Sequence, residues 1–257
     1  MLVYTFDRTL DGLLSAVFDA YFRHQQPDTL AGEGEQLPLF ADDVYHVATA
    51  EEKATRVWKG LEKRLSKEAL RLITVSWLSE DRELSTPLFH YIYKVFQSPT
   101  SIERNFADAD VLYVTNTARR VAHEQLRMKQ FIRFQKAKDG TYLAVVSPDN
   151  DVLPLITDHF SDRFGDQPWL IYDARRRYGY YYDRHEVTRI TFADDSALPF
   201  SLDDGKLNEE LLSDNDRLMQ DLWRTYFKAI CIRERMNPRK QLNDMPRRYW
   251  KYMTEKQ

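Results

Sequence analysis

Residues 131–147 read FIRFQKAKDGTYLAVVS, and the character of the chain changes there. Apolar and polar residues alternate on both sides of Asp139-Gly140. That dipeptide supplies the positive φ of a type I′ turn, so a hairpin is predicted that pairs Phe131–Lys138 with Thr141–Ser147. Upstream the apolar period is helical. A strand at Leu2–Phe6 leads into a helix from about Leu10 to His24, with Leu13, Leu14, Val17, Phe18, Tyr21 and Phe22 on one face. Further helices are expected over about 50–65, 67–77, 84–96 and 110–129. Downstream, a helix over 151–164 and strands at 169–173, 178–182 and 187–192 follow. A last helix carries Leu218, Met219, Leu222, Trp223, Tyr226, Phe227, Ile230 and Cys231 and ends at Asn237-Pro238. The predicted class is α+β: a helix-rich N-terminal half, a mostly antiparallel sheet in the middle and a long C-terminal helix packing on it. One domain of two lobes is expected, 1–130 mainly helical with an exposed loop at 25–43, and 131–257 holding the sheet, the helix and a basic tail.

The 257 residues are 43% apolar and 30% charged, enough for a core and far from the disordered regime. The longest run without Asp, Glu, Lys or Arg is Leu84–Tyr93. A membrane span needs roughly 18 apolar residues, so no membrane partner is expected. The first residues lack a cationic lead and a long apolar run, and a cytoplasmic location is expected. A single cysteine, Cys231, excludes an internal disulfide, a cysteine-ligated zinc site and a cysteine-held iron–sulfur cluster. No Gly-x-Gly-x-x-Gly, P-loop, His-Glu-x-x-His or Gly-x-Ser-x-Gly occurs. Nucleotide hydrolysis, nicotinamide chemistry and serine hydrolysis are thereby disfavoured, and no cofactor is expected.

The net charge of −3 conceals segregation. Residues 1–52 hold ten acidic against two basic residues, and 194–221 nine against two. Residues 116–138 hold seven basic against one acidic, and 224–257 ten against three. Such blocks either satisfy one another inside the fold or present a basic face to an anion.

Within the acidic N-terminal block, Gln36-Leu37-Pro38-Leu39-Phe40 resembles the Gln-Leu-x-Leu-Phe peptide by which bacterial polymerases and repair proteins dock on the DNA polymerase sliding clamp. Pro38 biases Leu37 toward an extended backbone. Leu37, Leu39 and Phe40 offer apolar anchors, and Gln36 offers paired hydrogen bonds at the mouth of a groove. The alternative is that Leu39 and Phe40 fold back onto the core as a plug.

Three basic segments are candidates for nucleic acid. Arg119, His123, Arg127 and Gln130 share one helix face, with Arg120 and Glu124 pairing beside it and Arg133 just beyond. Arg175-Arg176-Arg177-Tyr178-Gly179-Tyr180 joins guanidinium donors to rings that stack on unpaired bases. Arg247-Arg248-Tyr249-Trp250 repeats the pattern. On a strand alternate tyrosines face opposite sides, so part of the tyrosine run belongs to the core, and Tyr249 and Trp250 equally suit a C-terminal plug.

Several stretches resemble a bacterial family labelled as probable DNA metabolism proteins. They include 56–61 (RVWKGL), 127–134 (RMKQFIRF), 149–156 (DNDVLPLI), 167–173 (QPWLIYD), Arg176-Arg177-Tyr178-Gly179, Asn237-Pro238-Arg239 and 247–251 (RRYWK). Members are encoded beside a radical-SAM protein, and some are fused to a uracil-DNA-glycosylase-like domain that these 257 residues leave no room for. The resemblance implies DNA repair or modification, with a radical-SAM partner. The expected function is therefore a DNA-binding adaptor that docks on the sliding clamp. It would hold DNA through Arg119, His123, Arg127, Arg133, Arg176, Arg177, Arg247 and Arg248, with Tyr178, Tyr180 and Trp250 as stacking surfaces.

The alternative is a metal-dependent, nuclease-like enzyme built on Asp149, Asp151, Asp158 and His159. Against it, the ordinary reading is that Asp149 or Asp151 caps the helix that Pro154 opens, with Asp158 and His159 as surface or salt-bridge residues.

Overall fold

The computed structural model describes residues 1–194, 198–229 and 237–256. Ile230 and Cys231, assigned above to the last helix, lie outside the described residues. The chain forms two compact units, residues 1–122 and 123–257, and the division falls inside one long helix.

The first unit begins with β1 (Leu2–Phe6), as the alternation predicts. Thr9 then caps α1 (Leu10–Arg23) by accepting from the Gly12 N–H. Asp7 holds Thr9 in turn, and a side chain at Gly12 would collide with that carboxylate. His24 ends α1 in the left-handed conformation, φ 53°. The loop expected over 25–43 contains a strand: β2 (Thr29–Gly32) and β3 (Asp43–His46) flank β1 on either side, both parallel to it. No alternation marked β2, because its four residues are short and Gly-bounded. The helices α2 (Glu51–Glu62), α3 (Lys67–Trp77) and α4 (Ser85–Gln97) fall where the period places them. Their apolar stripes join Tyr4, Phe6, Leu13, Ile73, Leu88 and Phe89 in one core.

The long helix α5 (Ala109–Phe131) runs past the expected end and takes Phe131 from the predicted hairpin. In the second unit the hairpin survives as β4 (Gln135–Lys136) and β5 (Tyr142–Val146). Its turn is not type I′, for only Gly140 has positive φ. The bonds Ala137 N–H to Thr141 carbonyl and Gly140 N–H to Ala137 carbonyl make a three-residue loop with Gly140 near the left-handed position.

A 3-10 turn (Leu153–Leu155) and a short α6 (Thr157–Arg163), in place of one continuous helix, carry the chain to β6 (Trp169–Asp173). That strand lies parallel to β5, then pairs antiparallel with β7 (Tyr178–Tyr182), which pairs with β8 (Val187–Ile190). The five strands run in chain order, so the sheet is mixed, with three of its four pairings antiparallel. Every residue of β6 is buried, as a strand covered on both faces requires.

The last long helix, α7 (Asp214–Ala229), does not lay its apolar face on the sheet as expected. Leu218, Met219, Leu222, Trp223 and Tyr226 stay 40–62% exposed, and the helix leans on the 3-10 turn Thr254–Lys256 through Arg224 and Trp223. A further helix, α8 (Pro238–Asp244), is capped by Asn237, and the 3-10 segment Arg247–Tyr252 follows.

Candidate docking loop and polar cluster

In the first unit, residues 33–42 connect β2 to β3 and carry the clamp-like peptide. Asp42 anchors the far end of the loop through its N–H to the Met1 carbonyl and its carboxylate to the Met1 amino group, 2.5 Å. Glu35 anchors the near end, bonding Arg8 at 2.5 Å and the Gly32 N–H at 2.8 Å. Between these ties, Gln36–Pro38 are irregular and Leu39-Phe40 form a turn closed by Ala41 N–H to the Pro38 carbonyl. Leu39 is 90% and Phe40 80% exposed, so neither plugs the core. Leu37 is half-buried and Gln36 exposed. Between the two tethered ends, two large apolar side chains stand in water, which costs free energy.

In the second unit, polar side chains gather at the carboxyl ends of the parallel strands β5 and β6. Glu124, on the second-unit part of α5, is 2% exposed. It accepts five hydrogen bonds: from the Asp149 N–H (3.0 Å), the Asn150 N–H (2.8 Å) and side-chain amide (2.5 Å), an Arg248 guanidinium nitrogen (3.0 Å) and the Tyr249 hydroxyl (2.6 Å). Burial pushes its carboxyl up, but the Tyr249 hydroxyl and the three amide donors outweigh burial and hold it below the ordinary glutamate range. Tyr249, buried and donating to that carboxylate, is correspondingly pushed up.

The loop after β5 is pinned from a second side. Arg176 donates to the Pro148 and Asp149 carbonyls and to Asp173, whose other oxygen takes the Arg175 and Arg176 N–H groups. Asp173 is fully buried, and that burial raises its carboxyl against the pull of Arg176. The carboxylate of Asp149 lies 2.9 Å from Arg248 and 3.9 Å from Arg175. Asp151 accepts from the Tyr178 hydroxyl, and Arg189 stands over the Tyr178 ring at 4.4 Å.

The expected nucleic-acid residues thus divide. Arg133 is held by the buried Glu255 at 2.7 Å, Arg127 donates to the Asn243 carbonyl, and Arg176 and Arg248 hold the cluster. Tyr178, 3% exposed, presents no face to a base, and Tyr180 is half-buried beside it. Trp250 is half-buried, donates to the Met245 carbonyl and lies under Lys256. Arg119, His123, Arg177 and Arg247 are exposed, Arg119 lying over Phe106 in the first unit and Arg247 over Trp250 in the second. The predicted Arg120–Glu124 pair does not form: Arg120 bonds Asp81, and Glu124 turns to Arg248.

The four residues considered for a metal diverge. Asp149 goes to Arg248 and Asp151 to Tyr178, Asp158 is exposed, and His159 packs edge-on against Phe160. Among the described residues no His, Cys, Asp and Glu side chains form a group that could hold a metal ion. Nor do Asp149 and Asp151 cap the turn at Pro154, which Val152 begins without a side-chain bond.

Sequence reasoning missed Glu124 as the hub, and Asn150 and Asp173 with it. The signal was present in Asp149-Asn150-Asp151, three polar residues between a buried strand and an apolar turn. Among the described residues no helix is long and apolar enough to cross a membrane. A family profile described as DUF4130, a domain of unknown function, matches residues 82–255. No curated protein and no solved structure matches.

Proposed function

The chain belongs to the DUF4130 family, whose description assigns no function, and from its own surfaces we propose that it is a non-catalytic adaptor of DNA repair or modification, recruited to the DNA polymerase sliding clamp by Gln36–Phe40. The carrying observation is the exposure of Leu39 and Phe40, 90% and 80%, inside a five-residue match. An apolar pair held in water by tethered loop ends suits a partner's pocket. On this reading DNA contact falls to the exposed Arg119, His123, Arg177 and Arg247, and the partner that performs chemistry is the radical-SAM protein implied by the resemblance.

The polar cluster supports a scaffolding role. Its carboxylates are committed to arginines and hydroxyls of the same unit, as in a structural network. Titration of the clamp with the wild-type chain and with Leu39→Ala/Phe40→Ala tests the proposal. The wild type should bind and the double variant should lose at least about a hundredfold, since each buried apolar anchor is worth about 1.5–3 kcal/mol. Equal affinities would refute it.

A further inference from the structure

The first unit carries an open groove lined by residues of α1, α2 and α4, with a volume of about 700 Å³. Its walls are Phe18, Tyr21, Phe22 and Phe96, and its rims are Arg56 and Arg64. Phe22 is 77% exposed, stacked 6.4 Å from Phe18, and Tyr21 meets Phe96 edge-on at 5.9 Å. Arg56 stands 5.7 Å over Phe18 and Arg64 5.6 Å over Phe96, where Arg64 also donates to the Val95 and Phe96 carbonyls. The floor is therefore aromatic and hydrocarbon, and the rim is cationic.

We propose that this groove receives the Leu39-Phe40 turn of a second copy of the chain. The two surfaces are complementary in both respects that matter. The groove is walled by aromatic rings, and the loop displays two large apolar side chains, Leu39 and Phe40, 90% and 80% exposed. The groove is rimmed by arginines, while no Lys or Arg occurs between Arg23 and Lys53, and Glu33, Asp42 and Asp43 stand exposed around the turn. Aromatic walls under guanidinium groups suit an apolar pair set among carboxylates. The volume lies within the ~300–1,000 Å³ that takes a compact apolar ligand.

A knob on one surface and a pocket on another make a heterologous contact between copies. The contact covers the docking loop, so self-association and any other partner of Leu39 and Phe40 exclude each other. This inference does not need the clamp: it stands on the loop and the groove alone.

Sedimentation velocity tests it, with loading from about 5 to 500 µM to span the affinities of transient contacts. The wild type should grow in mass with concentration. Leu39→Ala/Phe40→Ala lacks the knob, and Phe22→Ala/Arg56→Glu lacks the pocket. All four side chains are exposed, so both variants should fold. Each alone should associate at least about tenfold more weakly. Mixed in equal amounts, they should recover complexes, because one copy supplies the loop and the other the groove.

A wild type that stays monomeric, a variant that associates like the wild type, or a mixture no heavier than its components would each overturn the proposal. So would binding of labelled oligo-dT that Phe22→Ala/Arg56→Glu abolishes while self-association is unmoved, since the groove would then serve nucleic acid. At concentrations where the wild type is monomeric, the groove variant should titrate the clamp as the wild type does. Failure here therefore leaves the clamp reading standing, and failure of the clamp titration leaves this one standing.

Discussion

Glu124 receives five donors at a place that water does not reach, and the consequences are measurable at the scale of one residue. Glu124→Ala would leave the Asp149 and Asn150 N–H groups and the Tyr249 hydroxyl without their acceptor, while Arg248 keeps Asp149. It should cost about 2–4 kcal/mol in chemical denaturation, the effect of buried donors left without an acceptor. Tyr249→Phe removes one neutral donor and should cost about 1–2 kcal/mol. The same carboxylate gives a pH signature. Its folded-state proton affinity is lowered, so its contribution is full above the ordinary glutamate value of 4.5 and is lost as pH falls through the lowered one. The stability gap between the wild type and Glu124→Gln should therefore be widest near neutrality and shrink on acidification below that value. A gap that grows in acid would contradict the network. Glu124 as the hub was not legible in the sequence, where it read as a partner for Arg120. Helical spacing names which residues share a face but not which remote segment covers them, and Arg248 lies 124 positions away.

At the scale of elements, legibility followed length and period. β1, β6 and β7 fall on the predicted residues because alternation and bounding turns mark them. β2 was missed because a four-residue strand between loop residues carries no period. The late helix shows the opposite failure. Its apolar residues recur correctly, yet Leu218, Met219, Leu222 and Tyr226 face outward, so amphipathicity located the helix and not its cover. Leu218→Lys with Met219→Lys should accordingly leave stability within about 0.5 kcal/mol, as surface changes do, when read by thermal denaturation. Gly179 is the contrasting case on β7. A Cβ there would meet the Ile171 carbonyl at 2.6 Å and Tyr172 Cα at 3.1 Å on the paired strand β6. Gly179→Ala should cost about 1–3 kcal/mol as the sheet yields to the added methyl.

At the scale of the whole molecule, segregated charge was plain in the sequence, and its use was not. Much of the basic surplus is spent inside the second unit, on Glu124, Glu255, Asp173 and main-chain carbonyls. Duplex DNA would then meet two or three exposed guanidinium groups. Its affinity should fall about 10- to 40-fold between 50 and 200 mM salt, read by fluorescence anisotropy. A salt-independent affinity would remove phosphate contact from the account. The clamp-like motif was legible in full, but five letters could not say whether Leu39 and Phe40 were buried or displayed. The most direct test of the adaptor reading is displacement of a labelled Gln-Leu-x-Leu-Phe peptide from the sliding clamp by the intact chain. Full displacement by the wild type, with none by Leu39→Ala/Phe40→Ala at the same concentration, is the predicted result. A peptide that stays bound in the presence of the wild type would contradict the account.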